Sequence, residues 1–191
     1  MRSGKVVIFS APSGSGKTTL VQWLLEQKLN LDFSVSATSR PPRKNEVDGK
    51  DYFFLTPADF RNKIEEDAFL EWEEVYTDKY YGTLKSEVGT MLELGRNVLL
   101  DVDVKGGLNI KRIYGEQAIS IFIKPPGVDV LRKRLESRGT DSPEIINERI
   151  EKATWELAFA PEFDVVIIND ELETAKKECL LQVQKFLSVS L

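Results

Sequence analysis

An apolar run, Val6-Val7-Ile8-Phe9, leads into Ala11-Pro12-Ser13-Gly14-Ser15-Gly16-Lys17-Thr18, and a helical pattern bearing Leu20, Val21, Leu24 and Leu25 follows. A glycine-rich turn between a strand and a helix points successive backbone N–H groups inward, and the helix start adds partial positive charge. The segment matches the phosphate-binding loop, with Ala11 in the place of its first glycine. Lys17 is expected to reach the β- and γ-phosphates of a nucleotide, and the Thr18 hydroxyl to ligate Mg²⁺. Val98-Leu99-Leu100-Asp101 reads as a second apolar strand ending in a carboxylate. Asp101 is therefore the candidate for orienting water on that metal.

Such a loop requires a parallel sheet with helices on its faces, and the chain supplies the alternation. Asn97 to Leu100 precedes a helical stretch from Lys105 to Tyr114, and Ser120 to Ile123 precedes one from Val128 to Glu136. Val165 to Ile168 reads as a further buried strand, and Glu171 to Leu187 as an amphipathic closing helix. Its apolar stripe is Leu172, Ala175, Cys179, Leu180, Val183 and Leu187.

Two regions break this rhythm. From Phe33 to Gly95 the chain gathers most of its aromatics and several turn signals, among them Arg40-Pro41-Pro42-Arg43 and Val47-Asp48-Gly49, and reads as a mixed insertion. From Ser137 to Pro143 it is polar, and the next helix turns Ile146, Ile150, Ala153 and Leu157 one way, as a mobile lid would.

Composition narrows the chemistry. A net charge of −5 disfavours general nucleic-acid binding, so any polyanion must meet local positive charge. The chain has no histidine, which removes Ser-His-Asp, Cys-His and histidine-metal chemistry, and its single cysteine excludes an internal disulfide and a cysteine zinc site. Val6 to Phe9 is too short for a signal-peptide core or a membrane span, so a cytoplasmic location without membrane contact is expected.

The insertion carries the acceptor signal: Ser34-Val35-Ser36-Ala37-Thr38-Ser39-Arg40-Pro41-Pro42-Arg43, Gly49-Lys50-Asp51-Tyr52-Phe53-Phe54, Phe69-Leu70-Glu71-Trp72 and Tyr80-Tyr81-Gly82-Thr83. This string, with Asp101-Val102-Asp103, Pro125-Pro126, Arg138-Gly139-Thr140 and Ile168-Asn169-Asp170, resembles the guanylate kinase family, nucleoside monophosphate kinases among the P-loop proteins. The resemblance implies one α/β domain over residues 1–191: a three-layer P-loop NTPase core with a parallel sheet, a mixed α+β insertion for the monophosphate, and a small lid. Core segments fall at about residues 1–32, 96–136 and 159–191, the insertion at about 33–95 and the lid at about 137–158.

It further implies that ATP, with Mg²⁺, binds along Ala11 to Thr18 together with Arg134 and Asn169, and that GMP is the acceptor. Arg40 and Arg43 match the family's paired clamps on the GMP phosphate, and Tyr52 and Tyr81 its two phosphate-contacting phenols. Ser36, Glu71, Thr83 and Asp103 match guanine contacts. Guanine offers two adjacent donors beside an acceptor, so one carboxylate and one hydroxyl suit it. Adenine would leave buried groups unpaired, enough for discrimination of roughly 10⁴. Lys17, Arg40 and the lid arginines Arg138 and Arg149 are expected to neutralise charge on the transferred phosphoryl group, with lid and insertion closing over both nucleotides. The expected state is a monomer or homodimer with no obligatory protein partner.

Other classes remain to be separated from this one. Scaffold domains of the same fold have lost catalysis, a kinase can take another monophosphate, and a P-loop switch would carry an Asn-Lys-x-Asp segment that the chain lacks.

Overall fold

The computed structural model describes residues 4–137, 139 and 142–189. Arg138 and Thr140, expected on the lid, lie outside the described residues. The chain forms two compact units, one of Gly4 and Lys5 with Asn30–Leu99, the other of Val6–Leu29 with the chain from Leu100 onward.

In the second unit, β1 (Val6–Ser10) is buried along its whole length, as a strand covered on both faces must be. It pairs in parallel with β8 (Ala118–Lys124), which pairs in parallel with β9 (Val165–Ile168). Helices α1 (Lys17–Leu25), α4 (Val104–Tyr114), α5 (Val128–Glu136), α6 (Pro143–Leu157) and α7 (Leu172–Ser188) accompany these strands. Ser142 caps α6 through its hydroxyl, and Pro143 opens the helix where a missing N–H costs nothing. Ile146, Ile150 and Ala153 of α6 pack with Leu131 and Leu135 of α5. Leu157 is only partly buried, against the cluster of Val104, Leu108, Phe122, Ala160 and Phe163.

In the first unit, β2 (Leu31–Phe33) pairs in parallel with β7 (Asn97–Asp101). A four-stranded sheet runs in the order β4 (Phe53–Phe54), β3 (Ala37–Thr38), β6 (Lys79–Leu84), β5 (Phe69–Tyr76), flanked by α2 (Pro57–Glu65) and α3 (Lys85–Glu93). Its core is aromatic: the Phe60 ring stacks on Phe69 at 4.4 Å and on Tyr80 at 5.3 Å between centroids. The segment read as a mixed insertion therefore has its own packed interior.

Strand β7 belongs to both units. Its Val98 N–H donates to Lys5 C=O at 2.7 Å in the first, and the Val102 N–H just beyond it donates to Phe9 C=O at 3.1 Å in the second. Within the second unit the parallel order thus runs β7-β1-β8-β9, and within the first β2-β7. Among the described residues no helix is long and apolar enough to cross a membrane.

The stripe expected on α7 is narrower than its periodicity suggested. Ala175, Cys179 and Val183 are buried, whereas Leu172 at the first turn is exposed because the packed face starts one turn later. Burial, with the Glu178 carboxylate nearby, pushes the Cys179 thiol up to about 12. The native protein should therefore release no chromophore with a thiol reagent at pH 8, and one equivalent when unfolded in denaturant. Fast reaction of the native thiol would contradict the packing of α7.

Candidate functional site

Loop residues Ala11 to Gly16 join β1 to α1 and, with Lys17, Thr18, Asp101 and Asp103, line a cleft of about 430 Å³. The first turn of α1 has neither a side-chain cap nor an acidic residue, so its N–H groups face the cleft open to an anion. Two glycines make the turn. Gly14 (φ +90°) lies where a Cβ would meet Leu131 Cδ1 at 2.9 Å, and Gly16 (φ +87°) where it would meet Asn169 Nδ2 at 2.3 Å. Ala11 is not among the residues with positive φ, so alanine fits its backbone without strain.

The loop is held from the end of β9. Asn169 is buried, and its side-chain amide donates to Ser15 C=O at 2.7 Å. Its own carbonyl accepts from Arg134 Nη2 at 2.9 Å. Both residues were expected on the ATP side; the structure shows them joined to each other and to the loop.

Lys17 makes an ion pair with Asp101 and donates to Val102 C=O at 3.2 Å. Asp103 caps α4, its Oδ1 accepting from Lys105 N–H at 2.8 Å and Gly106 N–H at 3.0 Å. Asp103 was expected as a guanine contact; what the structure shows is that it fixes the start of a helix beside the cleft. Arg149 of α6 reaches the loop, its Nη1 donating to Ser13 Oγ at 3.3 Å. Thr18 stands exposed at the cleft. Among the described residues no group of three or more His, Cys, Asp or Glu could hold a metal. The Thr18 hydroxyl and the Asp101 carboxylate are hard oxygen donors, which suit Mg²⁺ when phosphate and water complete its shell.

The first unit builds a separate cluster from sheet register. Pairing of Thr38 with Tyr81 and of Ala37 with Phe53 brings Arg40, just past β3, beside Tyr81 and Tyr52. Arg40 Nε donates to Tyr81 Oη at 3.1 Å, and its guanidinium carbon lies 4.9 Å from the centre of the Tyr52 ring. Glu46 grips Arg40 with both oxygens, at 2.5 and 2.7 Å, and also accepts from Arg43 N–H at 2.8 Å. This fork holds the Glu46 carboxyl down at about 2 and raises Arg40 further above its ordinary value. The Arg43 side chain is exposed.

Along the same sheet, Glu71 of β5 is the cross-strand partner of Thr83 of β6, and Thr83 Oγ1 donates to Glu71 Oε1 at 2.6 Å. Continuing the Ala37–Gly82 register by one residue sets Ser36 level with Thr83. Ser36, just before β3, therefore falls in one row with Thr83 of β6 and Glu71 of β5, two residues along β6 from Tyr81.

Sequence reasoning missed two carboxylates. Glu46 lies among charged turn residues with no periodicity to mark it. Glu156 is buried and lines the cleft with Arg149 and Lys152. Helical spacing could have found it, since residues 149, 153 and 156 share a face of α6.

A loop of this geometry on a parallel sheet defines a P-loop nucleotide-binding protein. The family model for guanylate kinase matches residues 3–188. The chain is 62% identical to a guanylate kinase of Bacteroides fragilis over 97% of its length and 91% of the relative's. It is 52% identical to one of Porphyromonas gingivalis, covering 95% of each chain. It superimposes on the crystal structure of guanylate kinase from Anaplasma phagocytophilum with a TM-score of 0.77 at 26% identity, over 99% of this chain and 89% of that one. Shikimate kinase from Bacteroides thetaiotaomicron, at TM-score 0.50 and 15% identity, shares the fold, covering 97% of this chain and 99% of its own. The chain belongs to the guanylate kinase family.

Two outcomes follow from this geometry. Asn169→Ala should destabilise the protein by about 1–3 kcal/mol in denaturant unfolding, because the Ser15 carbonyl loses its buried partner, and should weaken nucleotide binding in parallel. The Glu46 carboxyl should stay ionised to about pH 2 in a carboxyl NMR titration. Its folded value is depressed, so its contribution to stability is present above the ordinary carboxylate range and is lost as pH falls toward 2.

Proposed function

We infer that the protein transfers the γ-phosphoryl group of ATP to GMP, giving ADP and GDP. The observation that carries this is membership of the guanylate kinase family across almost the whole chain, on a fold whose phosphate loop is intact at Lys17 and Thr18. An oxygen of the GMP phosphate forms the new bond to the γ-phosphorus, the bond from that phosphorus to the bridging oxygen breaks, and ADP leaves with the electron pair. The acceptor oxygen is already anionic at neutral pH, so the step needs no general base and a chain without histidine can perform it.

The chain's own groups bind, orient and neutralise. Ala11 to Thr18 hold the ATP phosphates through backbone N–H groups, Lys17 turns its ammonium from Asp101 toward them, and Arg149, with Arg138, adds charge from the lid. Arg134 and Asn169 stand at the ATP side, where they keep the loop in shape. Thr18, and Asp101 through water, would hold Mg²⁺, which would supply positive charge to the phosphate oxygens. The unit around β3 to β6, within the insertion at about residues 33–95, receives GMP. Arg40, Arg43, Tyr52 and Tyr81 grip its phosphate, and Ser36, Glu71 and Thr83 read the base, with Asp103 as a further guanine contact.

The row of Ser36, Thr83 and Glu71 supports guanine over adenine, because the Thr83 hydroxyl orients the Glu71 carboxylate, and a carboxylate suits the paired donors of guanine rather than the bare ring nitrogen of adenine. ADP release measured with GMP, AMP, CMP and UMP as parallel acceptors should be confined to GMP. Glu71→Gln should depress GMP turnover by about 10²-fold or more while ATP binding is retained. Turnover with every acceptor alike would remove the base-site assignment, and nucleotide binding without turnover would point to a scaffold domain.

A further inference from the structure

An arginine side chain presents five N–H donors along two edges, one at its tip between Nη1 and Nη2 and one along its side between Nε and Nη2. In Arg40 the tip is filled by the Glu46 carboxylate, and the remaining Nη1 hydrogen donates to Pro41 C=O at 3.1 Å. Nε–H meets Tyr81 Oη. The second Nη2–H runs parallel to Nε–H, on the edge that faces the two tyrosines, where Tyr52 also hydrogen-bonds the Arg40 side chain. A carboxylate in a phosphate site would repel the substrate if it shared the substrate's edge; here it takes the adjacent one. The pair is well shielded, with side-chain exposures of 11% for Arg40 and 17% for Glu46.

We propose that Glu46 is a positioning residue for the acceptor: it holds the tip of Arg40 and the Arg43 backbone N–H, so that the Nε/Nη2 edge and Tyr81 Oη face the phosphate monoester of GMP. The proposal rests on the reading that Arg40 grips that phosphate. Glu46 remains in place when GMP binds, and its contribution is the rotamer freedom that Arg40 has already lost before the substrate arrives. The long Arg40 stem would otherwise sample many rotamers, and the Pro41-Pro42 segment alone does not fix its guanidinium.

The test is a double-mutant cycle on steady-state kinetics. Glu46→Gln keeps the side chain's shape, and should raise KM for GMP by about 10-fold with kcat changed less than about twofold and KM for ATP unchanged. Arg40→Ala should raise KM for GMP further, and adding Glu46→Gln to it should change nothing more, because Glu46 acts through Arg40. An unchanged or lowered KM for GMP in Glu46→Gln, or additive effects in the double variant, would overturn the proposal. If Arg40→Ala itself leaves KM for GMP unchanged, the phosphate-site reading fails as well. Wild-type protein gives a second readout: the Arg40 Nη protons should be resolved by hindered rotation in NMR both before and after GMP is added. Their collapse on binding would show that the phosphate displaces Glu46, and would overturn the proposal without any variant.

Discussion

An acidic chain that handles nucleotide phosphates depends on keeping a few cations in place. Three of the cations proposed to meet phosphate are already tethered: Lys17 to Asp101 and Val102 C=O, Arg40 to Glu46 and Tyr81, Arg149 to Ser13 Oγ. Such side chains carry up to about 2 kcal/mol of rotamer entropy each, and that entropy is lost on folding rather than on binding. The tethers differ in kind. Lys17 is a point charge that can swing from one oxygen to another, whereas Arg40 is a planar fork whose second edge stays open while the first is held.

Backbone geometry sets up these tethers in both units. In one, a strand that is wholly buried ends in a turn with two left-handed glycines, so the loop after β1 has a single shape. In the other, antiparallel register decides which side chains become neighbours, since Glu71 opposite Thr83 and Thr38 opposite Tyr81 follow directly from the pairing of β5, β6 and β3. The aromatic stack of Phe60, Phe69 and Tyr80 supports that register from beneath.

Much of this was legible in the sequence, for identifiable reasons. β1, β7, β8 and β9 are short apolar runs bounded by polar residues, and the helices after them carry a regular apolar stripe, so both kinds of element declare themselves locally. The two-residue strands β3 and β4 do not, because nothing shorter than a pleat repeat shows periodicity. Within the site, Lys17 and Thr18 are marked by a motif whose spacing is dictated by the turn. Glu46 is not: Lys44, Asp48, Lys50 and Asp51 surround it in sequence, and only the fold of the turn selects it for Arg40. Asn169 was visible as a polar residue after a strand, but its aim at the Ser15 carbonyl depends on β9 lying at the end of the sheet, which no local pattern encodes.

Asn169 and Gly16 touch the same small volume, since a Cβ at position 16 would lie 2.3 Å from the Asn169 amide nitrogen. The two positions are thus not free to vary independently. A larger residue at 16 would be tolerated sterically only with a shorter one at 169, which would abandon the Ser15 carbonyl, while the left-handed backbone at 16 would still oppose the change. Neither single step is neutral and the double step repairs only the clash, so among descendants of this chain both residues are expected to be inherited together, as one unit of selection split across the length of the polypeptide.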